Sequence, residues 1–96
     1  MILISVLIPA YNAQDYITEC LDSIFHQELY SSETLKLENI EVLVANDGST
    51  DQTPLILDKY ANKYSNLHIY HKKNEGLITT RQFLVNKAHG KYISFM

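Results

Sequence analysis

The chain is poor in the residues that build anything other than an ordinary packed core. It has one cysteine, Cys20, so an internal disulfide is excluded and no cross-linked framework can hold the fold. Cys20 falls in a helical apolar pattern and reads as core filling. There is no tryptophan, and only three glycines and two prolines occur, which argues against low complexity and disorder. Basic residues are outnumbered 8 to 11, giving a net charge of −3. A general nucleic-acid binder needs a basic surface to neutralise phosphates, so that class is excluded too, although a local pocket for one pyrophosphate is not. The apolar start, Met1 to Ile8, is too short to cross a bilayer and lacks the basic flank and cleavage site of a signal peptide, so a cytoplasmic protein is expected. The four histidines show no metal-ligand spacing. His68 and His71 are three apart in an extended segment and would point to opposite faces, so no zinc site is expected.

What remains is 96 residues, 46% apolar, which suffices for one small domain with a core. Ile2 to Ile8 is apolar on both faces and predicts a buried parallel strand, stopped by Pro9. Ile17, Leu21, Ile24 and Phe25 recur at helical spacing and predict a helix over 14–27. Residues 28–38 have no clear period and suggest a loop with a short helical turn. A second strand spans Ile40 to Ala45. A helix follows from about Thr50, where Ser49, Thr50 and Asp51 are capping types and Pro54 suits a first turn. Leu57, Tyr60, Ala61 and Tyr64 mark its buried side. A third strand covers Leu67 to Tyr70. After a polar loop, 72–76, a third helix runs over 77–88 with Leu77, Leu84 and Ala88 inward, ended by His89-Gly90. The last strand is Tyr92 to Met96.

The order β-α-β-α-β-α-β implies an α/β, Rossmann-like three-layer fold with a parallel sheet, right-handed crossovers and helices on both faces. The sequence stops while still apolar, so a truncated domain is expected, with an apolar face that could self-associate.

Three places could carry chemistry, all at the carboxyl ends of strands, where open α/β sheets bind ligands. In Pro9-Ala10-Tyr11-Asn12, the Tyr11 ring could stack on a base and the backbone could bond its edge. The bland reading is that Tyr11 covers the sheet end. Asp47, after the second strand, could accept the imide N–H of uracil or a ribose hydroxyl, or it could cap the next helix. Gly48 permits a positive φ or close approach of a ligand. Arg81, a turn beyond Gly76, carries the planar donor fork suited to phosphate, or is a plain surface arginine. Lys72 and Lys73 read as loop charges.

Together, Ser5-Val-Leu-Ile-Pro-Ala-Tyr-Asn12, Cys20-Leu-Asp-Ser-Ile24, Glu41-Val-Leu-Val-Ala-Asn-Asp-Gly-Ser-Thr-Asp51, Asn74-Glu-Gly-Leu77, Arg81 and Ala88-His-Gly-Lys-Tyr-Ile-Ser-Phe95 resemble the family 2 glycosyltransferases of the GT-A fold. The resemblance covers nearly the whole chain. It implies an inverting transfer of a sugar from a nucleotide diphosphate, usually a UDP-sugar, to an acceptor hydroxyl, typically in polysaccharide synthesis. It also implies that Pro9, Ala10, Tyr11, Asp47, Gly48 and Arg81 border the nucleotide. Asn46 and Gln82 depart from the family's usual aspartate and asparagine, and the connection 28–39 is longer than usual. The family's Asp-x-Asp motif, which binds Mn²⁺ or Mg²⁺, would follow Met96, so this chain carries neither metal ligands nor a catalytic base. The expectation is an N-terminal nucleotide-sugar-binding part, residues 1–96, inactive alone, from a cytoplasmic protein that can work at the inner face of the membrane. The alternative is a non-catalytic, self-associating α/β module. A sugar nucleotidyltransferase would need a Gly-rich loop after the first strand, which Pro9-Ala-Tyr-Asn12 does not supply.

Overall fold

The structure is a computed structural model and describes residues 2–26 and 39–96. Its elements are β1 (Ile4–Ala10), α1 (Ile17–Phe25), β2 (Ile40–Asp47), α2 (Thr53–Lys63), β3 (Leu67–Lys72), α3 (Leu77–Lys87) and β4 (Tyr92–Phe95). The expected order of strands and helices holds. The short turn read within 28–38 lies outside the described residues, and the first helix, read as far as Gln27, ends at Phe25 with His26 as its C-cap.

The four strands form one parallel sheet in the order β3-β2-β1-β4. Alternation along the two central strands sends side chains to opposite faces. Val6, Ile8, Val42 and Val44 face α1 and α2, where Ile17, Leu21, Ile24, Phe25 and Leu57 meet them. Leu7, Leu43 and Ala45 face α3 through Leu84. The sheet is therefore covered on both faces, which is why β2 is buried at every position. The α1 and α2 helices are clamped to each other by stacked Phe25 and Tyr64 rings, 3.9 Å between centroids. The Tyr60 hydroxyl donates to Asp22 Oδ1 at 2.6 Å. That bond, with burial, pushes the Tyr60 phenol up to about 12.

Several boundaries differ from the sequence reading, each for a local reason. Pro9 does not stop β1, because it pairs with Ala45 inside the strand. Leu7 accepts from the Met96 N–H on the β4 side, at 3.0 Å, and sides alternate along a strand. The N–H that Pro9 lacks therefore lies on the β4 side, beyond the paired Leu7 and Phe95, so the β1–β2 ladder loses no bond. The first two helices start late, at Ile17 and Thr53, since residues 12–14 and 49–52 are bonded to one another across the sheet end. In α3 the buried side is Thr80 and Leu84, while Leu77 is 54% exposed. Nor is Gly90 a helix cap, because α3 already ends in extended Ala88. Gly90 is small because a Cβ there would stand 2.6 Å from the backbone nitrogen of Ser5.

That contact belongs to a buried polar knot at the amino end of the sheet. Ser5 Oγ donates to Glu41 Oε2 at 2.6 Å and accepts from the Gly90 N–H at 2.8 Å. The His89 N–H and Nδ1 donate to the same carboxylate at 2.5 and 3.1 Å. Burial pushes the Glu41 carboxyl up, but the bonds from Ser5 and His89, with the His89 charge, outweigh it and leave it below the usual range. A carboxyl lowered by folding stabilises the fold fully above its unfolded value, about 4.3. That stabilisation is lost as pH falls through the lower folded value. Thermal melts from pH 6 to pH 3 should accordingly show a steeper fall in Tm for the wild type than for Glu41→Gln. Parallel curves would remove Glu41 as the source.

Candidate functional site

Strands β1 and β2 end side by side, with Ala10 opposite Asn46. Two loops build one wall of the crevice beyond them. The Asn12 N–H donates to Ser49 Oγ at 2.9 Å, and the Thr50 N–H donates back to Asn12 Oδ1 at 2.8 Å. The Ala13 N–H bonds Thr53 Oγ1 at 2.9 Å, and the Gln52 N–H bonds Gln14 Oε1 at 2.9 Å. Asn12 sits at φ 47, a conformation that asparagine adopts more readily than most residues. Asp51 accepts from the Thr53 N–H at 2.9 Å, closing the turn before α2, but it is not the N-cap, which is Gln52 and makes no side-chain cap bond. Ser49 and Thr50 serve a different end, bracing the loop that carries Tyr11.

Asp47 builds the opposite wall. It is the last residue of β2 and is in register with Lys72, the last of β3. Its Oδ1 accepts from the Glu75 N–H at 2.8 Å and from Lys72 Nζ at 3.2 Å, and its Oδ2 accepts from the Gly76 N–H at 3.1 Å. Its main-chain carbonyl accepts from Asn74 Nδ2 at 3.0 Å. Asp47 thus holds the turn that leads into α3, reached across the sheet end, through the N–H groups of Glu75 and of the N-cap Gly76, and does not cap the α2 that follows it in sequence. Burial pushes the Asp47 carboxyl up. The bonds from Glu75, Lys72 and Thr80, with the Lys72 charge, outweigh it and hold the group below the ordinary aspartate range. Burial likewise pulls Lys72 down, and its contacts with Glu75 and Asp47 more than restore it, so its ammonium is held upward.

Between the walls is a cavity of about 240 Å³ lined by Pro9, Ala10, Tyr11, Asp47, Asn74, Gly76, Leu77 and Thr80. Four of the six residues singled out from the sequence, Pro9, Ala10, Tyr11 and Asp47, come together there. Gly48 and Arg81 do not line it. Gly48, at φ +71, sits behind Asp47, and its missing Cβ would stand 2.7 Å from the Asn74 backbone nitrogen. Arg81 lies on the β4 side with its guanidinium 5.5 Å from the Phe95 ring centroid, beside a separate groove. Leu77 and Thr80 were not foreseen as lining residues, whereas Asn74 and Gly76 belong to the loop read together with Arg81. The signal for Thr80 was its place one helical turn after Gly76.

Asn46, which departs from the family pattern, takes no charge out of this cavity, because it faces the other way. Its Oδ1 accepts from the Ser49 N–H at 3.1 Å, so its Nδ2 must donate to His71 Nδ1, at 3.0 Å. His71 then presents its Nε2–H to Asp58 Oδ1 at 2.8 Å, tying β2 and β3 to α2.

Chemically, the cavity offers an exposed aromatic ring, an apolar wall and one carboxylate. That set suits a flat heterocycle with an N–H donor. Among the described residues no group of three or more His, Cys, Asp or Glu side chains could hold a metal ion, so the residues present do not make a cation site. No described helix is long and apolar enough to cross a membrane.

Comparison with known proteins identifies the family. The minor teichoic acid biosynthesis protein GgaB of Bacillus subtilis is 39% identical over 93 residues, covering 96% of this chain and 10% of that protein. The crystal structure of S. aureus TarS 1-349 in complex with UDP-GlcNAc superposes with a TM-score of 0.85 at 35% identity, covering 99% of this chain and 26% of TarS 1-349. The mannosyltransferase PcManGT from Pyrobaculum calidifontis, in complex with GDP-Man and Mn²⁺, superposes with a TM-score of 0.76 at 25% identity over 94% of this chain and 25% of its own. The chain therefore spans about a quarter or less of these relatives. The model of Glycosyl transferase family 2 matches residues 5–96, and the chain belongs to that family.

Proposed function

We propose that residues 1–96 form the nucleotide-recognising part of a glycosyltransferase. In this reading the whole enzyme transfers a sugar from a UDP-sugar to an acceptor hydroxyl with inversion, in the synthesis of a polysaccharide or a related cell-surface polymer, at the cytoplasmic side of the membrane. The observation that carries the reading is the convergence of Pro9, Ala10, Tyr11 and Asp47 on one cavity at the carboxyl ends of β1 and β2. Its support outside this chain is the likeness to TarS, whose complexes hold UDP-GlcNAc and UDP. The base lies against Tyr11 and its imide N–H meets Asp47. Gly48 keeps the Asp47 turn close to the Asn74 loop, and Arg81 meets the diphosphate on the β4 side. A divalent cation bound by the whole enzyme would supply charge neutralisation for the leaving diphosphate. The described residues hold the nucleotide and assign no base to deprotonate the acceptor, so the isolated chain binds without turnover.

The test is a titration of the chain with UDP, followed by amide NMR with and without Mg²⁺. Shifts are expected at Ala10, Tyr11, Asp47 and Gly48, little changed by the metal. Tyr11 is 54% exposed, so Tyr11→Ala should leave the melting temperature unchanged. It should weaken UDP about tenfold, since stacking on a base is worth ~1–3 kcal/mol. Absence of shifts at millimolar UDP would overturn the reading. A second reading, self-association without catalysis, draws on the exposed apolar side chains of Tyr92, Ile93 and Phe95 on β4. It requires a dimer in sedimentation that UDP does not disturb.

A further inference from the structure

Lys72 was read from the sequence as a loop charge, yet its side chain is only 10% exposed. Its ammonium reaches Asp47 Oδ1 at 3.2 Å, Glu75 Oε1 at 2.7 Å, the Lys73 carbonyl at 3.2 Å and Thr80 Oγ1 at 3.5 Å. It does not line the cavity, so it acts on a ligand only through Asp47. A carboxylate has about four acceptor positions, two on each oxygen. On Asp47, Oδ1 is filled by Lys72 and the Glu75 N–H, and Oδ2 gives one position to the Gly76 N–H. Oδ2 therefore keeps one position for a ligand in the cavity that Asp47 lines.

Bases differ in what they ask of a carboxylate. The imide of uracil presents one N–H flanked by two carbonyl oxygens and needs one acceptor position. Guanine presents two parallel donors, N1–H and N2–H, and needs an open position on each oxygen. We propose that Lys72 is a positioning residue that occupies Oδ1 of Asp47, so that the site accepts one N–H donor and selects a pyrimidine imide over guanine. This rests on the reading that Asp47 meets the base. Opening Oδ1 by removing the ammonium lets both guanine donors bind, while the single contact to uracil persists.

The experiment compares UDP with GDP on wild type, Lys72→Met and Lys72→Arg, each confirmed folded by its amide spectrum. Wild type and Lys72→Arg are expected to favour UDP at least tenfold, and Lys72→Met to narrow that ratio to threefold or less. A folded Lys72→Met that keeps the wild-type ratio overturns the proposal and leaves the nucleotide reading intact. A wild type that prefers GDP overturns the proposal as well. A wild type that binds neither nucleotide removes both. If Lys72→Met does not fold, inosine diphosphate, whose base presents N1–H without the second donor of guanine, is compared with GDP on the wild type. A site with one open acceptor position should bind it at least threefold more tightly than GDP. Equal or weaker binding than GDP overturns the proposal.

Discussion

Replacing Asp47 by alanine is expected to destabilise the chain by about 3 kcal/mol and to abolish UDP binding. The magnitude follows from what is left behind. Asp47 and Lys72 form an ion pair with side chains only 6% and 10% exposed. Removing one partner strands the other charge with little access to water, which costs ~3–5 kcal/mol in buried pairs. The lower end applies because Glu75 Oε1 still receives the ammonium at 2.7 Å. For a domain of this size, about 3 kcal/mol lowers Tm by roughly 15 °C. The Asp47→Ala, Lys72→Met double variant should recover part of the loss, since it removes the stranded charge as well. Urea denaturation of the single and double variants measures both quantities. A single-variant loss below about 1 kcal/mol would show that the pair behaves as an exposed one.

Gly48→Ala should be nearly as damaging, by a different route. A left-handed conformation costs a residue with a Cβ about 1–2 kcal/mol, and Gly48 sits at φ +71. The new methyl would also meet the Asn74 backbone nitrogen at 2.7 Å and its Cα at 3.0 Å, main-chain atoms that cannot swing aside. Forced overpacking adds about 1–3 kcal/mol, so a total of about 3 kcal/mol is expected. Because the displaced loop carries Asn74 and Gly76 into the cavity wall, UDP affinity should fall more than tenfold in whatever protein remains folded. Gly76→Ala is the control. It has a positive φ of +91 with an extended ψ of 163, which glycine alone adopts readily, and nothing lies within 4 Å of its Cβ, so its loss should come from backbone strain without a clash. A Gly48→Ala variant of wild-type stability would mean that both the strain and the Asn74 contact are relieved.

Much of this was legible in the sequence because it rests on local pattern. Seven elements in the right order follow from apolar runs and helical spacing, and Asp47 drew notice because a carboxylate ends a buried strand. The partners of Asp47 were not legible. Lys72 is 25 residues away and meets it only through the β2–β3 register, which no local period encodes. Pro9 misled for a similar reason. Whether a missing N–H matters depends on which neighbour stands beside it, and β4 comes from the far end of the chain. Leu77 reads as inward on an ideal helical wheel, but the sheet covers only the Thr80–Leu84 side of α3. Gly90 looked like a helix stop because glycines commonly are, whereas its requirement is set by Ser5 on a different strand.

The stitching between residues 12–14 and 49–53 has a consequence for how the motif can travel. Asn46-Asp-Gly-Ser-Thr-Asp51 looks like a self-contained cassette, yet the bonds of Ser49 and Thr50 reach Asn12, 37 and 38 residues upstream, and those of Asp47 reach Glu75 and Gly76, 28 and 29 residues downstream. The six residues are one third of a joint whose other parts lie after β1 and before α3. Transplanted alone into another α/β sheet, they would bring the glycine's permissive turn but neither the bracing of Tyr11 nor the ammonium beside Asp47. The unit that can be inherited, swapped or designed is the trio of loops, and the short signature is the part of it that happens to be contiguous.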